Sequence, residues 1–85
     1  MLEEEEALRL VEVAVERAGG ARFVVGNPRH PFALKSTNEE DVDGHEVVIH
    51  FSEISSPAIA VVEGWVFEIR ETEYVLLSRP RKPKA

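Results

Sequence analysis

Residues 58–77 read AIAVVEGWVFEIRETEYVLL, and this stretch decides the fold because apolar residues recur in it at alternate positions. Such alternation is the pattern of a strand with one buried face. We predict one long strand over residues 58–70, a tight reversal at residues 70–73 and a last strand over residues 74–77. The long strand has five apolar positions in one register: Ile59, Val61, Trp65, Phe67 and Ile69.

Glu63 breaks this pattern, because strict alternation places its carboxylate on the same face as Trp65. A carboxylate buried there would be desolvated, and its pKa would rise into the range of a general acid. The alternative is a β-bulge at Glu63-Gly64, since glycine inside a strand often marks one. We favour the bulge, because it turns Glu63 to solvent and avoids an unpaired buried charge. It would also align Ala60 and Val62 with Trp65.

The segment before this stretch predicts a further strand and an acidic loop. Residues 45–51 alternate, with Val47, Ile49 and Phe51 on one face. We interpret residues 38–44 as an acidic loop that ends in Asp43-Gly44, a strong turn signal. Its glutamate and aspartate spacing partly matches a calcium-binding loop, but the match fails at the later ligand positions, so we favour a solvated hairpin loop.

The N-terminal part of the chain predicts a helix followed by two short strands. Residues 2–18 place alanine, leucine and valine on one broad face at three- and four-residue spacing, and Gly19-Gly20 ends the helix. Residues 21–25 and 32–35 read as short strands separated by the turn formers of residues 26–31.

These elements predict an α+β fold in which one N-terminal helix packs on one face of a four- to five-stranded antiparallel sheet. Strands joined by short loops pair antiparallel, and the helix is the only cover that the sequence offers for the sheet. Residues 1–79 form this single domain. The strand ladder should stop before Pro80, and residues 80–85 should form a basic, disordered tail.

Composition narrows the classes of function. The net charge is −6, yet the last seven residues carry four basic side chains, so the preceding 78 residues, with 6 basic and 16 acidic side chains, have a charge of −10. An acidic body repels nucleic-acid phosphates and attracts a basic protein partner. The absence of cysteine suits a reducing compartment. We therefore expect a cytoplasmic protein with no membrane association and no specific nucleic acid.

No grouping of residues predicts catalysis, a cofactor or a metal. Zinc requires three or four converging ligands, whereas His45 and His50 point to opposite faces of their strand and His30 lies in a loop. The serines near His50 have no nucleophile elbow around them. We expect a protein without enzymatic activity and without cofactors.

One short segment is similar to a known family. Ala7-Leu8 in the helix, followed later by Glu63-Gly64-Trp65-Val66-Phe67 and then Tyr74, resembles the YrhB-like small immunity proteins. The resemblance implies a bacterial cytosolic α+β domain that neutralises a cognate toxin by binding it. It implies neither enzymatic activity nor a cofactor.

Three hypotheses of function follow. We favour a small binding protein, of the immunity or antitoxin type, that inhibits a basic protein partner through Glu39, Glu40, Asp41, Asp43 and Trp65. One alternative is a small ligand-binding or enzymatic domain that uses a groove at Glu63 and Trp65. The other is a designed scaffold without evolved activity, which the regular glutamate-rich helix suggests. Monomer and homodimer both stay open, because the second face of the sheet is predicted to be partly apolar at Val48, Val62 and Val66.

Overall fold

The computed structural model describes residues 1–26, 37–51 and 57–81. Within them the chain forms one antiparallel sheet, with the strands side by side in the order of the sequence, and a long helix that packs on one face of it. This confirms the predicted α+β fold. The elements are α1 (Glu4–Arg17), α2 (Ala21–Gly26), β1 (Thr37–Val42), β2 (His45–His50), β3 (Ala58–Val62), β4 (Trp65–Ile69) and β5 (Tyr74–Ser78).

Helix α1 begins and ends where local chemistry requires it. The backbone amide of Glu3 donates to the Glu6 carboxylate at 3.3 Å, and the acidic first turn complements the positive end of the helix dipole. Gly19 and Gly20 have φ of 115° and 98°, and the Gly20 amide donates to the Val15 carbonyl at 2.8 Å. Glycine adopts this left-handed backbone without strain, so the helix ends here, close to the predicted limit.

Residues 21–25 form a helix, so the prediction of a strand there was wrong. The amide of Val24 donates to the Gly20 carbonyl at 3.0 Å, and the Val24 side chain is buried in the core beside α1. A five-residue segment such as Ala-Arg-Phe-Val-Val carries too little periodicity to separate helix from strand.

Residues 37–42 form strand β1, so the prediction of an acidic loop over residues 38–44 was wrong except at its end. Strand β1 pairs along its length with β2, from Thr37 opposite His50 to Val42 opposite His45. Pairing and the burial of Val42 override the low strand propensity of aspartate and glutamate. The predicted turn at Asp43-Gly44 is confirmed.

Residues 58–70 form two strands joined by a two-residue turn, so both the single long strand and the bulge were wrong. Glu63 and Gly64 have φ of 45° and 88°, the pattern of the tight turn that suits a hairpin. Glu63 is exposed, as predicted for the bulge. Because Val62 now faces Trp65, Ala60 and Val62 share the buried face of Trp65, whereas Ile59 and Val61 lie on the other face.

The last strand and the reversal before it are confirmed. The Arg70 amide donates to the Glu73 carbonyl at 2.9 Å, and β5 ends before Pro80. The predicted turn-rich segment after Gly26, the predicted strand over residues 32–35 and most of the basic tail lie outside the described residues.

The core lies between α1 and the face of the sheet that α1 covers, here called the covered face. Successive side chains of a strand point to opposite faces, so every second side chain is directed toward this core. Its largest fully buried side chains are Leu10, Val11 and Val15 from α1 and Val42, Val47, Ile49, Val62, Phe67 and Ile69 from the strands.

Candidate functional site

The face of the sheet opposite α1, here called the outer face, is apolar at its centre. The strand register aligns Val48, Val61 and Val66 across β2, β3 and β4. All three are partly exposed, and so are the other apolar residues of this face, Ile59, Val75 and Leu77, with Leu77 50% exposed. Val48 and Val66 lie there as predicted, but Val62 does not, because the turn at residues 63–64 places it in the core.

Carboxylates border this apolar centre on one side. Glu39 lies opposite Val48, and Asp41 lies opposite Glu46, so all three carboxylates belong to the outer face. We call Glu39, Asp41 and Glu46 the acidic rim. Among the described residues none of the three forms an ion pair, and Asp41 Oδ1 accepts only from the Gly44 amide, at 3.0 Å.

The acidic residues predicted for partner binding divide between the two faces. Glu39 and Asp41 lie on the outer face, and Asp43 is exposed at the turn. Glu40 points to the covered face, where its carboxylate lies 4.0 Å from Arg17 Nη1, and Arg17 also donates to the Asp41 carbonyl at 2.9 Å. These contacts join α1 to β1, so Glu40 faces the helix and does not belong to the outer face.

Glu46 belongs to the site although the sequence reasoning did not select it. The residue stands alone between His45 and Val47, outside the dense acidic segment. The turn at Asp43-Gly44 could have predicted the position of Glu46. A two-residue hairpin turn sets the register of the two strands and brings residue 46 opposite residue 41.

At the far side of the outer face one cation offsets part of the acidic charge. Arg70 Nε lies 2.6 Å from the Glu68 carboxylate, and Arg70 Nη1 lies 3.5 Å from Glu73. The hydrogen bond and negative charge of Glu68, together with the charge of Glu73, raise the pKa of Arg70. Among the described residues, the carboxylates of the outer face that have no ion-pair partner are therefore those on β1 and β2.

Trp65, also predicted for partner binding, lies on the covered face and is 7% exposed. Its indole Nε1 donates to the Leu2 carbonyl at 3.1 Å. The Arg79 guanidinium lies 5.7 Å from the ring centroid and 3.1 Å from the Glu4 carboxylate. These contacts join both ends of the described chain to the sheet, so the ring packs inside the fold and away from the acidic rim.

Glu63 is not the desolvated acid that strict alternation predicted. Its carboxylate is 46% exposed and contacts Nδ1 of His45 between two neighbouring turns of the sheet. His50 lies on the outer face, on the opposite side of β2 from His45. In the described ranges no three histidine, aspartate or glutamate side chains converge as metal ligands would.

Comparison with models of protein families, with curated proteins and with solved structures gave no match to this chain. The resemblance to the YrhB-like immunity proteins therefore stays a prediction. Neither of the described helices has the length and apolar content needed to cross a bilayer.

Proposed function

We propose that this protein is a non-enzymatic binding protein whose outer face docks a protein partner with an apolar centre and a basic border. The observation that supports this most is the position of exposed valine, isoleucine and leucine side chains beside the acidic rim, whose carboxylates form no ion pair with any residue that the structure describes. An apolar patch bordered by charge is the usual composition of a protein interface.

The acidic rim favours a basic partner for a physical reason. Asp41 and Glu46 lie directly opposite each other on an antiparallel pair, an arrangement that is destabilising for like charges. A lysine or arginine brought between them would remove this repulsion and add an attraction. The negative field also speeds the approach of a basic protein, while burial of the apolar centre supplies affinity.

The resemblance to the YrhB-like small immunity proteins favours one form of this proposal, in which binding inhibits the partner. An immunity or antitoxin protein acts by covering a surface of its target, so it needs an exposed docking face and no catalytic group. The outer face is exposed in this way. Trp65 is not part of the proposed docking surface, because its ring is buried on the covered face.

Two neutralised variants with the same net charge test the proposal. The rim variant carries Glu39→Gln, Asp41→Asn and Glu46→Gln. The control variant carries Glu5→Gln, Glu12→Gln and Glu16→Gln, which lie on the exposed side of α1. The wild type and both variants are immobilised, and proteins retained from an extract of the cell that encodes the chain are identified by mass spectrometry.

We expect a basic protein retained by the wild type and the control variant but not by the rim variant. That protein is then purified, and its rate of association with the rim variant is compared with its rate of association with the wild type. At low salt the rate with the rim variant should be lower by about tenfold or more, and the two rates should converge as salt screens the field. Equal retention by all three proteins, or equal loss in both variants, would contradict the role of the acidic rim.

A further inference from the structure

Strand β5 contains one extra residue. Phe67 lies opposite Leu76, whereas Val66, one position earlier in β4, lies opposite Ser78, so Leu77 has no opposite residue. This is a β-bulge, and a bulge changes the direction of the side chains that follow it. Ser78 shares the outer face with Val66, because residues directly opposite each other lie on one face. The residue after Ser78 therefore points to the covered face.

That residue is Arg79, and the bulge brings it onto Trp65. In a regular ladder without the extra residue, Arg79 would point to the outer face. Instead its guanidinium lies over the Trp65 ring and pairs with Glu4 at the start of α1. The next residue, Pro80, passes so close to the turn at Gly64 that a Cβ there would lie 2.7 Å from the proline side chain.

Residues 79–81, here called the strap, are held to the fold by side chains. Among the described residues, no hydrogen bond between backbone groups joins the strap to the rest of the chain. The paired side chains of Arg79 and Glu4 are 64% and 46% exposed, and exposed ion pairs contribute little to stability. Segments with few buried contacts open at the lowest free energy, so the strap is expected to open before the sheet does.

We propose that the strap is a releasable cover of Trp65, which exposes the indole ring when it opens while the sheet stays folded. With the strap closed, Trp65 is 7% exposed and its Nε1 donates to the Leu2 carbonyl. Opening removes Arg79 from the ring, and water then competes for the bond to Leu2.

The open form presents an aromatic surface that the closed form hides. Tryptophan is enriched at the centres of protein interfaces, so this surface is of a kind that a partner can use. The inference goes beyond the proposed partner binding, because Trp65 lies on the covered face, away from the acidic rim. The two proposals therefore stand or fall separately.

Hydrogen exchange at the Trp65 indole, followed by NMR, tests the proposal, since this is the only tryptophan of the chain. Exchange of the amides of β3, in the middle of the sheet, measures opening of the whole fold. After correction for intrinsic rates, we expect the indole of the wild type to open more often than the β3 amides. Arg79→Ala should raise indole opening relative to β3 by about three- to thirtyfold, because it removes a cation–π contact and an ion pair.

Two further variants separate the strap from general effects of charge. Glu4→Gln removes only the ion pair, so indole opening should rise by at most about fivefold relative to β3. Arg81→Ala removes the same charge from the same segment as Arg79→Ala. It should leave the ratio unchanged, because Arg81 is exposed and forms no ion pair with a described residue.

Circular dichroism verifies that each variant is folded, and Glu4→Gln carries the test if Arg79→Ala is not. Indole exchange that keeps pace with the β3 amides in the wild type and in the folded variants would overturn the proposal. Equal rises in Arg79→Ala and Arg81→Ala would overturn it as well.

Discussion

Removing one carboxylate of the acidic rim should stabilise the free protein, and this test needs no partner. Asp41 and Glu46 lie directly opposite each other on β1 and β2, and no described cation forms an ion pair with either carboxylate, since Arg17 donates to the Asp41 backbone carbonyl. Their side chains leave the backbone about 5 Å apart, so two unit charges repel by about 0.8 kcal/mol in water. We expect Glu46→Gln and Asp41→Asn each to raise the free energy of unfolding by about 0.2–1 kcal/mol.

The double variant separates this repulsion from other effects of each substitution. Once one charge is removed, removing the second should bring little further gain, so the double variant should be about as stable as the better single variant. Urea unfolding followed by circular dichroism measures all four proteins, and about 1 M salt, where the screening length is about 3 Å, should abolish the gain.

Additive gains in the two single variants, or a gain that persists in high salt, would refute the reasoning. Either result would mean that Asp41 and Glu46 do not repel each other across the strands. The rim would then lack the electrostatic strain that a basic partner is proposed to relieve.

Two further predictions concern single residues. Gly64→Ala should destabilise the fold by about 1–3 kcal/mol more than Gly44→Ala, because both glycines have positive φ but only at Gly64 would a Cβ meet Pro80, at 2.7 Å; equal losses in urea unfolding would contradict this. Partial burial, and next the charge of Glu12, raise the pKa of Tyr74, so tyrosinate absorbance should appear above the ordinary value of about 10. The protonated phenol stabilises the fold fully below a pH of about 10, the pKa of tyrosine in the unfolded chain, and this stabilisation is lost as the pH rises through the raised pKa of the folded protein. A titration midpoint at or below about 10 would contradict the prediction.

The sequence predicted those elements whose periodicity was long or whose ends were marked. α1 has several turns of apolar spacing and a glycine pair at its end, β2 alternates after the Asp43-Gly44 turn, and β5 is an apolar run that ends before Pro80. The alternation over residues 58–70 was misleading because residues 58–62 are apolar at every position, so either set of alternate residues fits a buried face, and the turn at residues 63–64 shifts which set is buried. The positive φ of Glu63, which made the turn possible, has no signature in a non-glycine residue.

The acidic part of the candidate site could be predicted only as a local density of charge. Glu39 and Glu40 are neighbours on a strand and point to opposite faces, and which of them joins the outer face depends on which lies opposite the buried Val47, a property of the register. The same register brings in Glu46. The burial of Trp65 depends on the carbonyl of Leu2, 63 residues away in the chain, and a contact of this separation leaves no local pattern.

Methyl relaxation by a soluble paramagnetic agent tests most directly whether the outer face is available to a partner. We expect the methyl groups of Val48, Ile59 and Val61 to relax much faster with the agent than those of Val47 and Ile49, which are fully buried. Equal protection of both sets would mean that the outer face is covered in solution, and that result would contradict the proposed docking surface.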